Sequence, residues 1–333
     1  MDATVTLRLE AALLGGARTY TRLQVSELTG APVERLEKLW RALGFADVDD
    51  ETPLFTDDDV TAVRTLDAFA QRGFLDAERE ASLARALGQA MARLAEWQVG
   101  ELRAGLQTVA GDVTTVGPAE VDYLVTELLP EMRQLQDYIW RRHLVSIFGR
   151  GLAADGALDA VELVVGFADL VGFTALSRTL KQAELATLVE AFESRAAEVV
   201  AVNRGRVVKT MGDGVLFVTE ESTSGAEIAL GLLEAMSVDG ALPALRVGLA
   251  KGPVLTRLGD IYSSTVNLAS RLTGLAKPDS VLVDGAFASS LADDPRYSLR
   301  RLGRVSVRGL ERQRPWLLRR ADPESTDAGS SGP

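Results

Sequence analysis

From residue 161 onward the chain alternates short Val-rich runs with amphipathic runs of helical period, a pattern absent from the first 150 residues. VELVVGFAD, GRVVKTM, GVLFVTE, LRVGLAKG, PVLTRLG and SVLVDG are too short for helices and rich in β-branched residues, so they predict strands. ELATLVEAFESRAAEVVAVN, SGAEIALGLLEAM and STVNLASRLTGLA repeat apolar residues at spacings of three and four and predict the helices between them. A chain of this pattern folds as helices packed on one sheet, an α+β domain. Upstream the reading is helical throughout. Leu83, Leu87, Met91 and Leu94 form one apolar stripe, and Leu102, Leu106 and Val109 extend it. VDYLVTELLPEMRQLQDYIWRRHLVSIFG predicts one or two helices interrupted near Pro130, which lacks the amide proton an interior helical position needs. RGLAADGAL, at 150–158, replaces bulky apolar residues with Gly and Ala and reads as a linker. The expected organisation is therefore an all-α domain over 1–149, the linker, an α+β domain over 159–322, and a polar, disordered tail over 323–333.

Composition narrows the chemistry. The 333 residues include no Cys and a single His, His143. Thiolate nucleophiles, disulfides and thiolate zinc are excluded, as is any two-His metal site within one protomer. A bound metal would have carboxylate ligands, which select Mg²⁺ or Mn²⁺. The net charge is −11. Residues 1–150 contribute 24 acidic and 16 basic side chains, and the remainder 23 and 20, so neither half is built to attract nucleic acid at long range. No stretch reaches the ~20 apolar residues that span a bilayer. The N-terminal MDATVTLRLEAALLGG is a poor secretory signal, so the expected location is the cytoplasm.

No GxxxxGK[ST] or GxGxxG phosphate cradle is present, which turns attention to three polar interruptions of the α+β pattern. Asp169 interrupts the apolar strand end GFADLVGFT. Asp213 sits in a Gly-Asp-Gly turn of KTMGDG. Asp260, Asn267 and Arg271 lie in GDIYSSTVNLASRL, where Asn267 and Arg271, four apart, share one helical face. Each has an ordinary explanation taken singly: a helix N-cap, a hairpin turn, an exposed polar stripe. Taken together, the first two put carboxylates at adjacent strand ends of one sheet, where they could share a pair of divalent ions.

The three segments resemble the catalytic domain of class III nucleotidyl cyclases. The resemblance rests on Phe167-Ala168-Asp169-Leu170-Val171-Gly172-Phe173-Thr174, on Lys209 through Asp213, and on Asp260 seven residues before Asn267, itself four before Arg271. It covers roughly 159–320 and implies a ferredoxin-like catalytic domain preceded by an all-α regulatory domain. Ser263 departs from the glycine many relatives carry there. The resemblance implies that Asp169, Asp213 and the Leu170 carbonyl hold two Mg²⁺ or Mn²⁺ ions. It also implies that Asn267 orients the ribose, that Arg271 meets charge on the α-phosphate, and that Arg308, in SVRGL, contacts terminal phosphates. Lys209 can donate to adenine N1 and Asp260 can accept from the 6-amino group. Guanine, with an acceptor O6 and a donor N1–H, mismatches that pair, so the expected substrate is ATP and the expected product cyclic AMP, with guanylyl cyclase as the alternative. In this family the metal aspartates come from one protomer and Lys209, Asp260, Asn267 and Arg271 from the other, which implies a homodimer with two shared sites.

In the N-terminal half, YTRLQVSELTGAPVERLEKLWRALGF reads as helix, turn, helix, and FTDDDVTAVRTLDAF starts another helix with Thr56 as N-cap. The segment, about 19–70, resembles the start of MerR-type regulators, and a nucleotide-sensing DNA-binding regulator is the alternative of a different class. Asp47, Asp49, Asp50, Glu51, Asp57, Asp58 and Asp59 oppose it, lying where a phosphate-facing wing would be. The layout is similar to that of soluble actinobacterial cyclases with an autoinhibitory N-terminal domain. His143, just before the linker and beside two arginines, is the expected regulatory residue: a proton-sensitive contact at the junction.

Overall fold

The computed structural model describes residues 3–110, 117–153, 161–238, 242–257, 259–304 and 314–321. By their internal contacts the residues fall into two units, Met1–Ala153 and Ala154–Pro333.

The first unit is helical: α1 (Ala3–Leu13), α2 (Arg22–Thr29), α3 (Val33–Ala42), α4 (Asp57–Gln71), α5 (Ala77–Ala110), α6 (Pro118–Tyr123) and α7 (Leu129–Ala153). Gly30 ends α2 at φ +77, the left-handed value that lets the chain turn into α3. Val25, Ala31, Leu36, Phe55 and Val60 close a small core around the turn, and a single bridge joins Tyr20 to Phe55. Thr56 is the N-cap of α4, and its backbone N–H donates to Asp59 at 2.8 Å. The acidic residues around it have local partners. Asp50 and Asp47 pair with the buried Arg22 at 2.5 and 3.3 Å, and Asp57 accepts from the Tyr20 hydroxyl at 3.0 Å.

Pro130 does not interrupt the helical run. It sits in the first turn of α7, where no intrahelical amide is required. The irregularity precedes it, as one π-helical turn over Leu124–Leu128. Helix α7 continues through 150–153, the first residues of the expected linker; the rest of the linker lies outside the described residues, as does the tail beyond 321. A cavity of about 1220 Å³ opens between α5 and the α6–α7 run, with Trp97, Leu102, Met132 and Trp140 among its walls.

The second unit contains β1 (Val161–Leu170), α8 (Phe173–Leu176), α9 (Gln182–Val202), β2 (Arg206–Thr210), β3 (Gly214–Thr219), α10 (Ser222–Ser237), β4 (Leu245–Arg257), β5 (Asp260–Tyr262), α11 (Ser264–Leu275), β6 (Ser280–Val283), α12 (Gly285–Ser290), β7 (Tyr297–Arg301) and β8 (Trp316–Arg320). The sheet runs β2-β3-β1-β4-β6-β8-β7, with β5 paired to β4. The chain order β1-α9-β2-β3-α10-β4 and the spatial order β2-β3-β1-β4, all antiparallel, make the ferredoxin-like core. LRVGLAKG and PVLTRLG, expected as two strands, form the single strand β4. Pro253 is accommodated within it, opposite Glu162 near the start of β1.

Both faces of the sheet are covered, which is why β1 and β3 read as unbroken apolar runs. Val164, Ala168 and Leu170 point to one face, where Phe192, Val200, Ile228 and Leu232 of α9 and α10 meet them. Leu163 and Val165 point to the other, against Leu216, Val218, Ala250 and Ala269 of α11. Helix α11 lies very close on that face. A Cβ at Gly248 would stand 2.3 Å from the Thr273 amide nitrogen, and the Thr273 hydroxyl donates to the Phe167 carbonyl at 3.2 Å.

Candidate active site

The α11 face of the sheet carries the polar residues. Asp169, next to last in β1, is directly opposite Gly214 of β3 and Arg246 of β4. Residues opposite one another in antiparallel strands project to the same side, so Arg246 and Asp169 meet. Arg246 donates from Nε at 2.8 Å and from Nη2 at 2.5 Å, both to Oδ2. Oδ1 is left toward Gly214, where a Cβ would stand 3.5 Å away.

Asp213 reaches the same strand end through the β2–β3 turn. Gly212 takes φ +73, which permits the sharp reversal. The Met211 amide closes it on the Gly214 carbonyl at 2.8 Å, and the Leu170 amide donates to the Asp213 carbonyl, also at 2.8 Å. Asp169, Leu170 and Asp213 therefore stand together. Their donor set is two half-buried carboxylates and a backbone carbonyl, all hard oxygens. Among the described residues no group of three or more His, Cys, Asp or Glu could cage a metal unaided. One or two carboxylates, with the remaining positions left to water and phosphate oxygens, is how Mg²⁺ is commonly held, so the residues fit such an ion.

A second cluster lies on β2 and β5. Lys209 follows a bulge at Val208 and sits opposite Leu216. Its ammonium bonds Asp260 Oδ2 at 2.6 Å, while Asp260 Oδ1 accepts from the Ile261 amide at 2.8 Å. The two residues expected to read the base thus stand side by side, one donor and one acceptor.

The third element is α11. Ser263 is its N-cap: the hydroxyl oxygen accepts from the Val266 amide at 3.1 Å, a bond glycine could not make, which gives the departure at this position a structural role. Thr265, Ala269, Leu272 and Thr273 face the sheet, leaving Asn267 exposed and Arg271 half-buried. Nη1 of Arg271 is buried without a hydrogen-bond partner. A buried donor left unmatched costs about 1–3 kcal/mol, so it marks a place where an acceptor belongs.

Arg308 lies outside the described residues. His143 is exposed on α7, one turn from an Asp137–Arg141 ion pair of 2.9 Å, so one of its two neighbouring arginines is already engaged. Arg246 is the site residue that sequence reasoning did not single out. It lies in LRVGLAKG, legible as a strand, but only the β1–β4 register brings it to Asp169.

The family model for the adenylate and guanylate cyclase catalytic domain matches residues 158–320. Over 95% of this chain and 90% of its own length, a protein of Streptomyces coelicolor named adenylate cyclase is 42% identical. One of Streptomyces griseus with the same name is 41% identical over 96% and 90%, and one of Glutamicibacter nicotianae 37% identical over 93% and 81%. These similarities extend through the helical unit as well as the sheet, and with the motif residues assembled as described they lead to one conclusion: the chain belongs to the class III adenylyl cyclases.

Proposed function

We propose that this adenylate cyclase converts ATP to 3′,5′-cyclic AMP and pyrophosphate at sites completed by two copies of the chain, with two Mg²⁺ or Mn²⁺ ions per site. The observation that carries the reading is the Lys209–Asp260 pair standing on the same sheet as Asp169 and Asp213. Asp169, Asp213 and the Leu170 carbonyl hold the ions. When bound, the ions lower the pKa of the ribose 3′-hydroxyl and neutralise the triphosphate.

The protein's own work is binding and orientation. Lys209 donates to adenine N1 and Asp260 accepts from the 6-amino group. Guanine would set donor against donor and acceptor against acceptor, leaving desolvated polar groups unpaired. Asn267 holds the ribose so that O3′ lies in line with the bond to the departing pyrophosphate. Arg271 supplies the donors that its buried Nη1 has spare to oxygens of the α-phosphate as charge grows there. O3′ bonds to the α-phosphorus, the α–β bridging bond breaks, and pyrophosphate leaves. Arg308 meets its terminal oxygens.

The exposed surface beside the base pair supports the second copy. Met211, Leu255 and Tyr262 are 44, 42 and 53% exposed, an apolar cluster next to polar catalytic residues and suited to a symmetric partner. The helical unit acts as the regulator: its described residues carry none of the catalytic set, and His143 is the candidate for a pH response. The test of the activity is product analysis after incubation with ATP or GTP, each with Mg²⁺ and with Mn²⁺. Equimolar cyclic AMP and pyrophosphate from ATP, with little product from GTP, is expected. A preference for GTP, or no cyclic product, would overturn the reading.

A further inference from the structure

Resting on the metal-site reading above, we infer that Arg246 is a positioning residue that keeps a divalent ion from settling on Asp169 alone and so makes metal and nucleotide bind together. The geometry is specific. Both donors of one guanidinium edge converge on a single carboxylate oxygen, Oδ2, at 2.8 and 2.5 Å. The strand register fixes the pair, since Asp169 and Arg246 are directly opposite in the β1–β4 ladder. It is shielded rather than freely solvated, with the side chains 25% and 35% exposed. Asp213, the other carboxylate of the site, has no such cation among the ion pairs of the described residues.

A divalent ion approaching this site meets a carboxylate whose charge is already matched and a fixed positive charge a few ångströms away. It must displace two charge-assisted hydrogen bonds and accept the repulsion. A triphosphate changes both terms. Its oxygens accept the same guanidinium donors, and its negative charge offsets the repulsion, so Asp169 Oδ2 is released as the ion arrives. Coupling of this kind is reciprocal: nucleotide tightens the metal by the factor by which metal tightens the nucleotide. An arginine suits the role better than a lysine, because its fork matches the carboxylate and its charge is never lost.

The test reads Mn²⁺ binding directly, by electron paramagnetic resonance of free Mn²⁺ during titration of the full chain, with and without a non-cyclisable ATP analogue. Arg246→Gln is expected to bind Mn²⁺ about tenfold more tightly than wild type in the absence of nucleotide, and to lose a similar factor of the tightening by the analogue. Arg246→Lys, which keeps the charge and loses the fork, is expected within about threefold of wild type and stands in should the glutamine variant fail to fold. Unchanged or weaker Mn²⁺ binding by Arg246→Gln overturns the inference, as does a lysine variant that binds as tightly as the glutamine one is expected to. Asp213→Ala separates the two levels: it must abolish Mn²⁺ binding with the analogue present. If it does not, the metal-site reading fails and the inference falls with it; if it does while Arg246→Gln changes nothing, only the inference falls.

Discussion

At the scale of single residues, the site divides into groups that hold metal, groups that read the base and groups that meet the reacting phosphate, and each should fail differently. Asp169→Ala and Asp213→Ala remove hard-oxygen ligands, and either should lower kcat with ATP by roughly a hundredfold or more. Unimpaired turnover in either would remove its metal role. Arg271→Ala should lower kcat by about 10²–10³ with a small change in KM, the pattern of a donor used mainly in the transition state. Lys209→Ala should instead raise KM for ATP and narrow the preference over GTP, because it removes a base contact made in ground and transition states alike. Initial rates across substrate concentrations separate the cases. These residues were legible because their spacing is local: a strand end, a hairpin, and an i,i+4 pair on one helix. Arg246 was not, since nothing in LRVGLAKG says which rung of a neighbouring strand it will face.

At the scale of elements, the positions of close approach should be the least tolerant. Gly248→Ala pushes a methyl group to within 2.3 Å of the α11 backbone, and a backbone cannot step aside as a side chain can. Its cost should be about 3 kcal/mol by urea unfolding, with activity falling because α11 carries Asn267 and Arg271. An alanine variant as stable as wild type would mean α11 sits farther from the sheet. A second test concerns the sheet's far edge. Glu227 of α10 accepts from the Tyr297 hydroxyl at 2.6 Å and pairs with Arg320 at 3.0 Å, tying the helix to β7 and β8. Burial pushes the Glu227 carboxyl up, but the hydrogen bonds from Tyr297 and Arg320 outweigh it and hold the carboxyl below its usual value. A lowered folded pKa stabilises above the unfolded value, and that stabilisation disappears as pH falls through the folded one. Glu227→Gln should therefore cost about 1 kcal/mol near neutrality, the partly exposed pair being screened. The difference from wild type should vanish on acidification below the ordinary carboxylate range. Thermal unfolding at several pH values checks it; a constant difference would assign the effect to packing. Strands β7 and β8 escaped the sequence reading because YSLRR and WLLRR end in exposed arginines and lack a clean alternation. The π-helical turn before α7 left no local mark either, since its cause is packing rather than Pro130.

At the scale of the whole molecule, the division into a helical half and an α+β half was visible in the change of hydrophobic period near residue 160. The helical half's internal arrangement was not, because α5 and α7 carry large apolar residues on more than one face and the sequence does not say which face is buried. If that half restrains the cyclase, residues 150–333 alone should turn over ATP faster than the full chain under the same conditions. Equal rates would leave the helical half without an inhibitory role. The central claim is that one chain supplies the metal aspartates and its partner the base-reading pair. Asp169→Ala and Lys209→Ala homodimers should each be nearly inactive, since every site in them lacks one part. Mixed and allowed to exchange, they should form heterodimers with one intact site and one doubly damaged site. The measurement is the rate of cyclic AMP formation by the mixture, normalised to the heterodimer fraction found by native mass spectrometry. Recovery to about half the wild-type rate per heterodimer is the expected result; no recovery with heterodimers present would place both residues in the same site of one chain and contradict the account.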